Sequence, residues 1–188
     1  MAVKVLTKDE VGRLLAAPDR RTRRGRRDVA LLSVMTLGGL RIAEACGLRR
    51  DEVSDLDGIM RLTFSGKGDK LRTVTLPAPA ANAVRRTLGD YKGTPYVFPG
   101  RCHKHALSPN GGWRVATTYF RALGFKAWVH PHSLRHTCAT MLLRATNGDM
   151  RTVQRTLGHA SPSTTAKHYD GWDSTDTDRA AAALERYL

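Results

Sequence analysis

Behind a capping box running from Thr7 to Glu10, apolar Val11, Leu14 and Leu15 recur at helical spacing, which predicts a first helix ending before Pro18. RDVALLSVMTL, from Arg27, is apolar enough for a buried helix, and Gly38-Gly39-Leu40 breaks it before RIAEACGL opens another. The pattern then changes to alternating or β-branched in IMRLTF (59–64) and LRTVTL (71–76). Two strands are predicted there, with SGKGDK as the hairpin turn between them. AANAVRRTLGDY reads as a helix, and GTPYVFPGRCHKHALSPNGG as a loop with a short strand at YVF. WRVATTYFRALGF is a helix ending at Gly124. From Ser133 a further helix places Leu134, Cys138, Met141, Leu142 and Ala145 on one stripe. DMRTVQRTLG is predicted to be capped by Gly158, SPSTTAKHY to start from Ser161 with Pro162 at its first position, and RAAAALERYL to close the chain as a helix. The fold class that follows is α+β, mostly α-helical with a small antiparallel β-sheet.

With 188 residues the chain suits one core rather than two, so 1–188 is read as a single domain. No apolar run reaches the 18 or so residues of a membrane span, and MAVKVLTKDE lacks a signal-peptide core; together these point to a cytoplasmic address. Three cysteines, Cys46, Cys102 and Cys138, form neither a disulfide framework nor a metal knuckle. Cys102, His103 and His105 in RCHKH are crowded and have no spaced second pair, so no metal is expected.

Charge changes the picture. Lys and Arg number 31 against 17 Asp and Glu, a net charge of +14, which favours a polyanionic partner and above all nucleic acid. RRTRRGRR at 20–27 supplies Arg20, Arg21, Arg23, Arg24, Arg26 and Arg27 and reads as a phosphate-contacting or loosely ordered segment; with Lys70 and Arg72 these are the candidate DNA contacts. From Asp170 onward the balance turns acidic.

The densest chemistry is HPHSLRH at 130–136. At about 100° per residue His132, Arg135 and His136 share one face of the helix that opens there, roughly opposite the Leu134–Cys138–Met141 stripe, at an end that suits an anion. His130, extended before Pro131, is expected outside that cluster. Arg41 heads RIAE with Glu44 one turn later on the same side, and Lys67 lies between glycines in the hairpin tip. His159 follows LG, and Tyr169 ends STTAKHY.

In that order, GGLRIAE, SGKGDK, HSLRHT, LGHASPSTT and HYD closely resemble the catalytic domain of the tyrosine recombinases, the phage-integrase class of DNA recombinases, from about Thr7 to Tyr169. The resemblance implies that fold, with Arg41, Lys67, His132, Arg135 and His159 as catalytic residues, Tyr169 as nucleophile, and Glu44 and His136 in support. It also implies double-stranded DNA as partner, a homo-oligomer, most naturally a tetramer, and accessory DNA-bending or directionality proteins, with no cofactor. Two guanidiniums and two imidazoles could neutralise the pentavalent phosphorus, Lys67 could protonate the leaving 5′ oxygen, and His132 is a candidate base for the phenol. The implied product is a 3′-phosphotyrosyl link made without metal. Type IB topoisomerase-like nicking and resealing, or DNA binding without catalysis, are the alternatives the same residues leave open.

Two departures stand out. The family's N-terminal core-binding domain is not found in these residues, as expected of a minimal recombinase or a fragment, and Gly38 stands where the family usually has Thr. The tail, 171–188, is expected to be a helix that is exchanged between protomers or caps its own domain.

Overall fold

The computed structural model describes residues 5–65, 71–157 and 174–188. The helix α1 (Lys8–Ala16) carries the expected capping box: Thr7 Oγ1 accepts from the Glu10 N–H at 3.2 Å, and Glu10 Oε2 accepts from the Thr7 N–H at 2.8 Å. At the centre lies α2 (Arg23–Thr36), buried from Arg27 to its end and in contact with α1, α3 (Ile42–Gly47), α4 (Ala78–Asp90), α5 (Pro109–Ala122) and α6 (Pro131–Ala145). It can be buried so completely because Val29, Ala30, Leu31, Leu32, Val34 and Met35 leave no polar stripe over its middle turns. Two further helices, α7 (Met150–Leu157) and α8 (Ser174–Tyr187), complete the set.

Three antiparallel strands stand in the order β1 (Val53–Leu56), β2 (Ile59–Ser65), β3 (Leu71–Thr75). Alternation sends Met60, Leu62 and Phe64 of β2 and Val74 of β3 into the core, with Leu62 paired to Val74. β1 was not expected. It joins β2 through Asp57 and Gly58, both at positive φ (52° and 77°), the backbone that a two-residue hairpin of Asp-Gly type requires. The strand predicted at YVF is absent: Tyr96 and Pro99 make only isolated bridges, to Arg49 and Ala106. Gly111 and Gly112, expected in the preceding loop, belong to α5, where Ser108 Oγ caps the Gly111 N–H at 3.1 Å. A side chain at Gly112 would start 2.5 Å from Cys46 Sγ, so that glycine lets α5 close on α3.

The arginine run requires a correction. It is not a loose, outward segment: α2 begins inside it, and Arg26 and Arg27 hold the fold together. Arg26 makes a paired bridge to Asp90 at the end of α4, at 2.6 and 2.9 Å. Arg27, its side chain 10% exposed, grips Asp28 at 2.7 Å and the Pro99 carbonyl at 3.2 Å. The Tyr119 hydroxyl reaches the same carboxylate at 3.0 Å. Arg23 donates to the Asp90 carbonyl and lies over the Tyr91 ring. Arg20 donates to the Leu15 carbonyl, Arg21 pairs with Asp19, and Arg24 is 81% exposed. Only part of the run, then, offers free cationic surface, because a buried carboxylate and two chain crossings recruit the remainder.

α8 lies against α6, α7 and β3 of its own chain. Arg61 binds Asp178 at 3.2 and 2.6 Å, Thr75 Oγ1 meets Asp178 at 2.7 Å, and Ala180 and Leu184 are buried. Among the described residues no helix is long and apolar enough to cross a membrane.

Among the described residues, removing Arg27 leaves the nearly solvent-free Asp28 carboxylate with only the Tyr119 hydroxyl and the exposed Arg24, 4.0 Å away. Arg27→Ala is expected to lower unfolding stability in urea by about 3 kcal/mol or more, whereas Arg24→Ala should stay within about 0.5 kcal/mol of the parent.

Candidate active site

The site forms where three backbone breaks meet. His130 is extended (φ −136°, ψ 168°), Pro131 takes the first position of α6, and the His130 N–H donates to Ser133 Oγ at 3.3 Å. Leu134, Cys138, Met141 and Leu142 of that helix enter the core. His132 and His136 stand edge to face with ring centres 4.9 Å apart. His130, expected outside the cluster, is part of it: its ring lies nearly parallel to His132 at 6.4 Å and to Trp113 of α5 at 6.3 Å. An extended residue just before a helix can turn its side chain back over the first turn, which the bias imposed by Pro131 does not prevent.

Arg135 is not presented on the open face with the histidines. It is 3% exposed and passes beneath them, donating through Nη1 to the Gly39 carbonyl and through Nη2 to the Leu157 carbonyl. Gly39 makes that meeting possible. Its φ is +65°, and a Cβ there would lie 2.3 Å from Leu157 Cδ2 and 3.1 Å from Cys138 Sγ. GGL is therefore more than a helix break; it brings α6 and the end of α7 together around one guanidinium.

Arg41 is the N-cap of α3. Its N–H donates to Glu44 Oε2 at 2.7 Å and its Nη1 to Glu44 Oε1 at 2.6 Å, so cap and carboxylate orient one another. Glu44 also receives Arg72 Nη1 at 3.3 Å. Burial by itself would raise the Glu44 pKa, but the hydrogen bonds from Arg41 and the charges of Arg72 and Arg41 outweigh it and hold the group below the usual carboxylate range.

Arg72 is a second correction. Expected as a DNA contact, it is 4% exposed: its β3 position points inward beside Val74, and it donates from Nε and Nη2 to the Thr156 carbonyl at 3.1 and 2.7 Å. Burial pulls its guanidinium down to about 10, with Arg135 adding to the effect and Glu44 opposing it. Burial likewise takes Arg135 to about 10, with Arg41 adding. Both stay charged at neutral pH. Cys138, beside them, is pushed to about 12 by burial and remains a thiol.

Three guanidiniums thus surround one carboxylate. Among the described residues Glu44 is the carboxylate that acts on both Arg72 and Arg135. Charge left over in so dry a place calls for an anion, and Arg41, its side chain 35% exposed, stands at the entrance with His132. The structure therefore brings together Arg41, Glu44, His132, Arg135 and His136, and adds Arg72, His130 and Trp113, which sequence reasoning had placed elsewhere or passed over. Lys67, Lys70, His159 and Tyr169 lie outside the described residues. Among the described residues no three His, Cys, Asp or Glu side chains converge as metal ligands would.

Comparison with known proteins now bears on this arrangement. The sequence model of the phage integrase family matches residues 4–174. The chain belongs to the phage integrase family. The tyrosine recombinase XerD of Lacticaseibacillus casei is 37% identical over 167 residues, covering 85% of the chain and 56% of that protein. The crystal structure of XerA recombinase superposes with a TM-score of 0.72 at 30% identity, over 84% of the chain and 57% of that structure. XerH recombinase bound to palindromic difH substrate, in a post-cleavage complex, shares the fold with a TM-score of 0.74 at 24% identity, over 86% of the chain and 48% of that structure. This phage integrase family chain spans about half the length of such relatives.

His132 carries the testable electrostatics of this cluster. Partial desolvation, then His136, Arg135, His130 and Arg41, hold its pKa below the ordinary value. A histidine depressed on folding contributes stability above its unfolded pKa of about 6.5 and loses it as pH falls through the lower folded value. NMR titration is expected to give His132 a midpoint below the ordinary histidine value of about 6.5, and His132→Gln should flatten the part of the acid-induced stability loss that lies below that pH.

Proposed function

We propose that this chain is the strand-transferring unit of a site-specific DNA recombinase. The Tyr169 phenol attacks a backbone phosphorus, the phosphorus–O5′ bond breaks, and Lys67 gives its proton to the departing oxygen. The phenolic proton passes to a base, the role proposed for His132, whose pKa lies below the ordinary value. The product is a 3′-phosphotyrosyl ester and a free 5′-hydroxyl. A 5′-hydroxyl from another strand reverses the step, so the bond energy is conserved and no nucleotide cofactor is consumed.

One observation supports this reading above the rest: buried positive charge in excess around Glu44, opening through Arg41 beside His132. A pentavalent phosphorane carries more charge on its non-bridging oxygens than the phosphodiester does, and preorganised guanidinium and imidazole donors stabilise that increment. They can do so without a metal ion, and Arg41, Arg135, His132 and His159 are the proposed donors. The net charge of +14 suits a duplex as the long-range partner. Exposed arginines such as Arg24 are the proposed backbone contacts. The acting form is proposed to be a homo-oligomer on two duplexes, with 1–188 as its catalytic domain.

A nicked suicide substrate, which loses its 5′-hydroxyl fragment after cleavage, tests this in EDTA. A covalent protein–DNA adduct is expected to accumulate, to vanish in Tyr169→Phe, and to form about 10²–10³-fold more slowly in Arg41→Ala. Absence of any Tyr169-dependent adduct contradicts the proposal. Relaxation of supercoils without exchange between two sites would assign the chain to type IB topoisomerase-like chemistry instead.

A further inference from the structure

Arg72 occupies an unexpected place. On β3 the inward positions alternate, and its neighbour Val74 and the facing Leu62 and Phe64 are apolar. A guanidinium in such a position is costly to bury unless each of its donors is engaged. Here each of its three nitrogens is engaged, by parts of the chain far apart in sequence. Nε and Nη2 converge on the Thr156 carbonyl in the last turn of α7, Nη1 reaches Glu44 of α3 at 3.3 Å, and the planar group lies 5.5 Å from the centre of the Phe64 ring.

A helix cap alone would need only the Thr156 carbonyl. The reach to Glu44 has a different consequence, because Glu44 is the group that sets the direction of Arg41. The carbonyl next along, that of Leu157, is held by Arg135. Arg41 and Arg135, the two guanidiniums proposed to meet the phosphate, are therefore both tied to groups that Arg72 holds or adjoins. Lysine could not replace this tie, because one ammonium cannot span a carbonyl and a carboxylate in the planar geometry of a guanidinium.

We propose that Arg72 is a positioning residue for phosphate activation: by bridging the Thr156 carbonyl and the Glu44 carboxylate it sets the spacing between Arg41 and Arg135 that neutralises the charge on the non-bridging oxygens. It does not touch the DNA. The inference rests on the strand-transfer reading, and its test separates the two.

Adduct formation is measured with two suicide substrates, an ordinary phosphodiester and one in which a methyl group replaces a non-bridging oxygen of the scissile phosphate. The second is uncharged in the ground state and lacks one of the two oxygens that the spaced pair Arg41 and Arg135 would share. Arg72→Lys, or Arg72→Gln if only that variant keeps a cooperative melt, is expected to slow cleavage of the phosphodiester by about tenfold to a hundredfold, the size of effect that small misplacements produce. On the methylphosphonate the same variant should stay within about threefold of the unaltered chain, and its DNA affinity at fixed salt should be similarly little changed. Equal losses on both substrates would mean that Arg72 merely supports the fold, and no loss on either that it positions nothing; both overturn the proposal. If the unaltered chain forms no adduct with the phosphodiester, the strand-transfer reading itself fails, and this inference fails with it.

Discussion

Excess positive charge that the chain does not neutralise is the constraint on which this structure depends. Arg41, Arg72 and Arg135 approach one another around Glu44, and burial weakens the hold of both inner guanidiniums on their protons. Such a cluster survives folding because nearly every inward N–H finds an oxygen: the Gly39, Thr156 and Leu157 carbonyls and the two oxygens of Glu44. The carbonyls satisfy hydrogen bonds but bring no net charge. The remaining charge is electrostatic capacity for an anion, and that is what turns a packing arrangement into a site.

The rest of the fold can be understood as the means of holding those oxygens in place. Gly39 gives its carbonyl to Arg135 at a point where a Cβ would run into Leu157 and Cys138, so that no other residue would fit there. The three-stranded sheet fixes Arg72 by pairing β3 to β2 through Leu62 and Val74, and α8 holds the sheet from one side through Asp178. α2, buried along most of its length, supports α3 and α6 from below, and Arg26 and Arg27 anchor it to the end of α4 and to the Pro99 loop. Arginine thus does two jobs in this chain. Some of its members face water, while others are internal ties that happen to carry charge.

How much of this could be read in the residues depended on whether local chemistry or tertiary contact decided the outcome. Helices with capping signals or an apolar stripe, such as α1 and α6, were legible because hydrogen bonds and periodicity act over a few residues. The hairpin partner β1 carries a signal as well, the two-residue turn Asp57-Gly58, but a strand of only four residues that is exposed beyond Val53 shows no apolar alternation to go with it. Arg72 carried a signal too, since it shares the inward parity of Val74 and Leu76, yet charge argued for the surface and masked it. The arginine run misled for the opposite reason. Its composition suggests a solvated segment, and only the distant Asp90, Pro99 and Tyr119 reveal that Arg26 and the Arg27–Asp28 pair are internal. The structure does gather Arg41, Glu44, His132, Arg135 and His136 into one neighbourhood, but which of them lies deep and which at the entrance depends on tertiary contacts that no local pattern encodes.

The central claim is that this cluster is built for a tetrahedral oxyanion, and diffraction from crystals soaked in tungstate tests it most directly, because the heavy atom reports its own position. The account predicts a tungstate centred within hydrogen-bonding reach of Arg41 and His132, over the buried Arg135. Tungstate bound at Arg24 and other surface arginines, with the Arg41–His132 mouth empty at saturating concentration, would contradict it.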